Sequence, residues 1–253
     1  MTDQSDNAIE FVHVDYAVKG NRALISDLNL AVRPHEVFML LGRSGAGKTT
    51  ILKLINRLLS PTTGEVQVEG RSTLQWDPIQ LRRRIGYAVQ EIGLFPHYTV
   101  EQNVALIPKA EHWEKKRIAD RVEEILLLVG LPREQFASRY PHQLSGGQRQ
   151  RVGLARALAA NPPILLMDEP FGALDPLTRV NLQQEFTLLQ KRLGTTVVFV
   201  THDVSEALQL GDRIAILEGG DTMGVFTPAE FLASSDPYIR AYRETYRPGS
   251  PNH

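Results

Sequence analysis

Residues 42–49 read Gly-Arg-Ser-Gly-Ala-Gly-Lys-Thr and fit the pattern G-x-x-x-x-G-K-[ST]. An apolar run at 37–41 precedes this loop, and a helical pattern at 48–59 follows it. Such glycines let the backbone turn tightly, so that successive N–H groups face a bound phosphate, and the following helix adds the positive end of its dipole. We expect Lys48 to reach the β- and γ-phosphates and the Thr49 hydroxyl to ligate Mg²⁺. The candidate phosphate-loop residues are Gly42, Arg43, Ser44, Gly45, Ala46, Gly47, Lys48, Thr49 and Thr50.

Two adjacent acids, Asp168 and Glu169, follow a second apolar run at 164–167. The end of a parallel strand opens on the same side of the sheet as the phosphate loop. Asp168 can therefore hold the magnesium shell through water, and Glu169 can polarise an attacking water as a general base. Alone, the pair could equally cap the next element, but the phosphate loop favours the catalytic interpretation.

A second glycine-rich helix start, Leu-Ser-Gly-Gly-Gln at 144–148, precedes an arginine-rich helix. A serine hydroxyl and glycine N–H groups at a helix N-terminus offer another anion site. A head-to-tail dimer would use two such sites, because each nucleotide can be clamped by one subunit's loop and the other's helix. The alternative is that the serine only caps the helix. The candidate residues are Ser145, Gly146, Gly147 and Gln148.

Strand-like runs alternate with helical patterns along the chain, which predicts a parallel sheet covered by helices. The middle of the chain, roughly 77–141, is more helical and more charged, and we expect it to form an inserted subdomain. Further strands are predicted at 11–14, at 66–68, and at 85–89, 196–200 and 214–217. Helices are predicted at 48–59, 112–129, 148–160 and 176–193, the last capped by Gly194. The apolar face of the first of these helices is predicted to comprise Ile51, Leu54, Ile55 and Leu58.

The composition excludes several classes of protein. The 253 residues include 28 basic and 29 acidic ones, a formal net charge of −1, which argues against a nucleic-acid partner. The absence of cysteine excludes disulfide scaffolds, thiolate metal sites and cysteine nucleophiles. The longest apolar run, 125–131, is far shorter than the roughly 20 residues that a membrane-spanning helix needs. The chain is not expected to cross a bilayer alone, although it can dock on a protein that does.

Three further features accompany these motifs in a fixed order: Gln90 after a strand, Ala-Leu-Asp at 173–175, and His202 after another strand. Together, the motifs resemble the nucleotide-binding subunit of an ABC transporter over nearly the whole chain. The resemblance implies a single ABC ATPase domain, 1–253, with an α/β P-loop NTPase core. It also implies an N-terminal antiparallel β part and an α-helical signature subdomain, approximately 92–160, inserted in the core.

The same resemblance implies roles for individual residues in hydrolysis of ATP to ADP and phosphate. Gln90 would ligate magnesium and the attacking water, and His202 would contact the γ-phosphate. Asp175 would bridge the two subunits of a head-to-tail homodimer and help to place the water. Tyr16 would stack on adenine. Tyr16, Gln90 and His202 each have an ordinary structural alternative, such as an exposed amide or a half-buried packing residue. The implied cofactors are ATP and Mg²⁺.

The stretch 76–109 looks like the importers of quaternary-amine osmoprotectants such as glycine betaine, choline or carnitine. Its apolar residues Ile92, Leu94 and Phe95 would suit a docking groove for a membrane permease, or would pack internally. The implied partners are a second ATPase subunit, the permease subunits and, indirectly, a solute-binding protein, at the cytoplasmic face of the membrane. The alternatives are an importer of another small solute, such as an amino acid, or a soluble ABC ATPase.

Overall fold

The computed structural model describes residues 7–18, 22–89, 93–172 and 174–245. The strands are β1 (Ile9–Val18), β2 (Arg22–Val32), β3 (Val37–Gly42), β4 (Thr63–Val68), β5 (Arg71–Ser72), β6 (Ile85–Ala88), β7 (Ile164–Asp168), β8 (Thr196–Thr201), β9 (Arg213–Glu218) and β10 (Asp221–Phe226). The helices are α1 (Lys48–Ile55), α2 (Pro78–Arg84), α3 (Val100–Val104), α4 (Leu106–Ala110), α5 (Lys115–Leu128), α6 (Arg133–Phe136), α7 (Gly146–Leu158), α8 (Pro176–Leu193), α9 (Val204–Leu210), α10 (Pro228–Ala233) and α11 (Pro237–Thr245).

The chain divides into two compact units, Met1–Trp76 with Val198–His253, and Asp77–Val197. In the first unit, an antiparallel sheet has the strand order β2-β1-β4-β5. Its central strand β1 begins at Ile9, which is fully buried between its partners in β2 and β4. This sheet confirms the antiparallel N-terminal β part.

The first unit also contains the strand that leads into the phosphate loop. Strand β3 is buried along its whole length and pairs in parallel with β9, which pairs antiparallel with β10. Gly42 ends β3, where a Cβ atom would lie 2.5 Å from the carbonyl oxygen of Leu217. A side chain cannot be accommodated at that distance, so glycine is required where the strand becomes the loop.

The second unit combines a pair of parallel strands with helices. Strands β6 and β7 pair in register from Ile85↔Ile164 to Ala88↔Met167. Helix α7 packs on β6, and α3 and α5 pack on α7. The predicted apolar stripe of α5 and its C-cap is buried, and comprises Ile118, Val122, Ile125 and Val129. The signature subdomain predicted at about 92–160 falls within the numbering of this unit, and its boundaries stay a prediction.

Helix α1 is shorter than its sequence pattern predicts. It ends at Ile55 rather than at residue 59, and Leu58, predicted on its apolar face, is 50% exposed. The cause is Arg57, which adopts a left-handed φ of 54° and reverses the chain. The N–H of Leu58 then donates to the carbonyl of Lys53 at 2.9 Å, which closes the helix C-terminus.

Helix α8 spans 176–193 as predicted, and Gly194 follows it with the left-handed φ of 60° typical of a C-cap. Within the described residues, no helix is both long enough and apolar enough to cross a membrane.

A buried asparagine organises the loop before α3. Asn103 is fully buried, and its Oδ1 accepts a hydrogen bond from the N–H of Phe95 at 2.9 Å. Its Nδ2 donates to the carbonyls of Tyr98 and Thr99 at 3.1 and 3.0 Å. One side chain therefore satisfies the backbone groups of a whole turn, which fixes the conformation of the segment 95–99.

Asn103→Leu is expected to lower the free energy of unfolding by roughly 2–4 kcal/mol, since the part-buried backbone groups of Phe95, Tyr98 and Thr99 would lose their partner. Urea denaturation monitored by circular dichroism measures the change. Asn181→Leu, at an exposed position of α8, is the control and should be nearly neutral. Equal stability of the two variants would contradict the role given to Asn103.

Candidate functional site

The phosphate loop is a tight turn between β3 and α1. The N–H of Ala46 donates to the carbonyl of Arg43 at 3.2 Å. Gly45 and Gly47 have φ values of 82° and 93°, in the left-handed region that favours glycine. A Cβ at Gly47 would also lie 2.7 Å from Cδ1 of Ile25. The loop therefore needs its glycines for both conformation and space, and positions 43–45, which include Ser44, are exposed.

Lys48 is folded back over this loop. Its side chain is 6% exposed, and Nζ donates to the carbonyls of Gly42 and Arg43 at 2.6 and 2.9 Å. No described side chain caps the N-terminus of α1, whose first turn includes the half-buried Thr49 and Thr50. An ammonium group, the backbone N–H groups of a nest-like turn and a helix N-terminus together make an anion-binding arrangement.

Tyr16 lies in β1, half-buried, opposite Ile25 of β2. Ile25 is also the residue that lies against Gly47 of the phosphate loop. Ile25 therefore links Tyr16, the predicted adenine-stacking residue, to the phosphate loop. This is a location that suits the base of a nucleotide whose phosphates lie on the loop.

His202 is exposed and follows β8, in the same unit as the phosphate loop. The turn around it is fixed by the buried Thr201, whose hydroxyl donates to Glu206 at 2.6 Å and accepts from the N–H of Asp203 at 3.0 Å. Asp203 in turn caps α9 through the N–H of Ser205. The backbone on both sides of the histidine is therefore anchored.

The two predicted acids lie in the second unit at the end of β7. Asp168 is the last residue of the strand and is buried. Burial and the nearby Asp168 charge raise the pKa of Tyr87 to about 12. Glu169 is half-buried and has a left-handed φ of 46°, which is uncommon for a residue with a side chain.

The donor chemistry fits magnesium. The Thr49 hydroxyl in the first unit and the Asp168 carboxylate in the second are each an oxygen donor of the kind that Mg²⁺ prefers. Among the described residues, no group of three or more His, Asp or Glu side chains is placed to hold a metal. The third predicted ligand, Gln90, lies outside the described residues.

The signature stretch forms the N-terminus of α7. Ser145 is the N-cap, and its Oγ accepts from the N–H of Gln148 at 3.2 Å. The Gln148 side chain accepts from the N–H of Ser145 at 2.9 Å, which completes a capping box. Ser145 and Gly146 are exposed, and Gly147 is half-buried. Ser145 therefore caps α7, as the alternative interpretation predicts. The exposed surface of the same turn remains a candidate anion site.

Asp175 is the N-cap of α8, and its Oδ1 accepts from the N–H of Thr178 at 3.0 Å. Hydrogen bonds from Thr178 keep the pKa of this exposed carboxyl below its usual value. Burial lowers the pKa of the Arg151 guanidinium on α7, and the negative charge of Asp175 partly opposes that shift. Asp175 therefore lies close enough to α7 for its charge to act on Arg151.

The sequence motifs did not predict the contact between α7 and Glu169, the residue after β7. The Nε2 of Gln150 donates to the backbone carbonyl of Glu169 at 3.2 Å. The available signal was periodicity, because Gln150 lies on the apolar stripe of the helix. The other members of that stripe are Gly153, Leu154, Ala157 and Leu158.

The structure describes the predicted permease-docking segment from Gly93 onward, so Ile92 lies outside the described residues. Leu94 is half-buried and Phe95 is 39% exposed. Phe95, His97 and Tyr98 form an aromatic cluster with centroid separations of 4.5–5.9 Å. A partly exposed aromatic cluster on a rigid loop suits contact with another protein.

The family model described as ABC transporter matches residues 25–172. Choline transport ATP-binding protein OpuBA of Bacillus subtilis is 48% identical over 231 residues, which cover 91% of this chain and 60% of OpuBA. Glycine betaine uptake system ATP-binding protein YehX of Escherichia coli is 47% identical over 235 residues, covering 92% and 76% of the two chains. The chain thus spans about 60% of the length of OpuBA and three quarters of that of YehX.

A solved structure of an ATP-binding cassette has the same fold as this chain. The ATP-binding cassette MJ0796, in a dimeric post-hydrolysis state bound to ADP and Pi, matches with a TM-score of 0.80 at 35% identity. The match covers 87% of this chain and 98% of that one. The predicted α/β ABC ATPase fold is confirmed.

Lys48→Ala is expected to weaken binding of magnesium-free ATP at least about 100-fold, because each charge-assisted hydrogen bond to a phosphate contributes about 1.5–3 kcal/mol. Fluorescence titration with a labelled ATP analogue measures the dissociation constant. Lys53→Ala, in the last turn of the same helix, is the matched control and should bind normally. Unchanged affinity in Lys48→Ala would refute the phosphate-binding role.

Proposed function

Since the chain belongs to the ABC transporter family of ATP-binding proteins, we propose that it binds and hydrolyses ATP as the nucleotide-binding subunit of an importer. The observation that carries this proposal is the complete phosphate loop at the strand–helix junction. There, the buried Lys48 ammonium is held on the loop's own carbonyls, Gly42 and Arg43. A triphosphate would replace these weak neutral acceptors with charged oxygens, which is a favourable exchange.

In the bound state, the loop N–H groups and Lys48 would hold the β- and γ-phosphates, and Tyr16 would stack on adenine. Base–aromatic stacking is worth about 1–3 kcal/mol, enough to favour a nucleotide over free polyphosphate. The proposed ATP-binding residues are Tyr16, Gly42, Arg43, Ser44, Gly45, Ala46, Gly47, Lys48, Thr49, Thr50, Ser145, Gly146, Gly147, Gln148 and Asp175.

Hydrolysis would proceed by attack of water on the γ-phosphorus. The bond from that phosphorus to the β–γ bridging oxygen breaks, ADP leaves, and Glu169 takes the proton of the attacking water as general base. His202 would contact the γ-phosphate, and Gln90 would help to place the water. The protein's contribution is mainly positioning and charge neutralisation.

Thr49, Gln90 and Asp168 would hold Mg²⁺, the last through water. When bound, the ion would neutralise phosphate charge. Lys48, on the phosphate loop, would also neutralise phosphate charge.

Two copies of the chain would clamp two ATP molecules head to tail, with the exposed first turn of α7 of one copy covering the nucleotide of the other. The dimeric MJ0796 cassette bound to ADP and Pi supports this arrangement. Asp175, which caps α8 near Arg151, would contact the partner copy and help to place the water.

The cargo would be a quaternary-amine osmoprotectant such as glycine betaine, choline or carnitine, because OpuBA and YehX are named for choline transport and glycine betaine uptake. The permease would dock on the segment around Phe95, and a solute-binding protein would deliver the cargo. The chain would then work as a peripheral protein at the cytoplasmic face of the membrane.

Glu169→Gln is expected to keep ATP binding and to lower turnover by about 10²–10⁴-fold, the usual contribution of a general base. The variant should accumulate as a nucleotide-bound dimer, because the closed state no longer decays through hydrolysis. Phosphate release and size-exclusion chromatography with ATP measure the two effects. Glu185→Gln, at an exposed position of α8, is the control. Normal turnover in Glu169→Gln would remove Glu169 as the base.

Co-expression with a permease of the osmoprotectant-importer type should yield a complex that co-purifies in detergent. Phe95→Ser should reduce the amount of permease recovered, because it removes the exposed apolar ring of the docking segment. Leu188→Ser, which alters a leucine that is also exposed but lies on α8, is the matched control. A chain that never associates with a permease, yet is fully active alone, would contradict the importer proposal.

A further inference from the structure

Gln150 bridges the signature helix and the proposed general base. The residue is 8% exposed, and its Nε2 donates to the carbonyl oxygen of Glu169 at 3.2 Å. The same oxygen accepts from the N–H of Gly172, also at 3.2 Å. Two donors on one carbonyl fix the orientation of the peptide group between Glu169 and Pro170.

The conformation of Glu169 is one that the chain would not adopt without such support. Its φ of 46° lies in the left-handed region, which is unfavourable for a residue with a Cβ atom. Pro170 follows it, and the residue before a proline is normally extended. A backbone of this kind persists only where the surrounding structure holds it, and such residues cluster at active sites.

Stability alone does not explain an amide at position 150. The Oε1 atom of Gln150 is buried and has no hydrogen-bond partner among the described residues. A buried acceptor without a partner is unfavourable, whereas an apolar side chain of the same length would fill the space without that penalty. The amide is therefore retained for its donor group, and the donor group is used on Glu169.

We propose that Gln150 is a positioning residue for ATP hydrolysis: its amide holds the Glu169 peptide so that the carboxylate is directed at the attacking water. Gln150 does not itself contact ATP or the water. This inference rests on the proposed function, in which Glu169 is the general base.

The first test compares Gln150→Met with the wild-type full chain. We expect kcat to fall about 10- to 100-fold, because a displacement of about 1 Å near reacting groups can cost on the order of 10²-fold. The ATP dissociation constant should be unchanged, and the melting temperature should not fall. Gln150→Glu, which has the same length but no N–H donor when ionised, should show the same loss of kcat.

The matched control is Gln190→Met. Gln190 is also buried, and its Nε2 also donates to a backbone carbonyl, that of Thr195 at 2.9 Å, but this bond lies at the far end of α8. Gln190→Met should lower the melting temperature and leave kcat of the folded fraction unchanged. A wild-type kcat in both Gln150 variants, or a loss that only tracks stability as in the control, would overturn the proposal.

The second test uses mixed dimers in which one subunit carries Glu169→Gln, so that only the other subunit has a working base. Gln150→Met should lower turnover when it is in the subunit with the intact Glu169. It should have no effect when it is in the Glu169→Gln subunit, whose signature serves the working site. The opposite pattern would show that Gln150 supports the signature instead, and would overturn the proposal.

The two failures can be told apart. If the Glu169→Gln homodimer turns over normally, the proposed base is wrong, whatever Gln150 does. If that homodimer is inactive and both Gln150 variants are normal, the function stands and the positioning role is wrong.

Discussion

The anion-binding geometry of this protein depends on one close backbone approach. Gly42 ends β3 beside Leu217 of β9, at a distance that leaves no room for a side chain. The following loop then turns through left-handed glycines, and Lys48 folds back onto the carbonyls of Gly42 and Arg43. The phosphate site is therefore a property of the sheet as much as of the loop, because the pairing of β3 with β9 fixes where the loop begins.

Helix α7 has the same importance in the second unit. Its first turn carries the exposed signature, and its second turn presents Gln150 to the backbone of Glu169. Next to Gln150, Arg151 donates a hydrogen bond to the carbonyl of Gly130, and the negative charge of Asp175 favours its protonated form. In the proposed dimer, one short rigid element would serve the partner's nucleotide at its end and its own catalytic carboxylate from its side.

The fold was predictable from the sequence where a single signal decided the structure. The continuous apolar run into Gly42 and the terminal Gly194 of α8 are of that kind, and both predictions are confirmed. Strand β2 was missed because bulges, including the left-handed Asp27, interrupt its alternation. The predicted end of α1 at residue 59 was wrong, because Arg57 adopts a left-handed backbone conformation although it is not a glycine. In the candidate site, the types of the functional side chains were predictable. Periodicity places Gln150 on the buried face of α7, but its hydrogen bond to the Glu169 carbonyl could not be predicted, because that bond depends on tertiary packing.

The N-terminus of α1 has no side-chain cap among the described residues, so the N–H groups of its first turn can donate to a bound anion. A phosphate compound bound there would add to the free energy of unfolding of the protein. A ligand present at 100 times its dissociation constant adds about 2.7 kcal/mol to the stability of a native protein. Copies of the chain without bound nucleotide would therefore unfold more often than nucleotide-bound copies, and the cell would degrade them sooner.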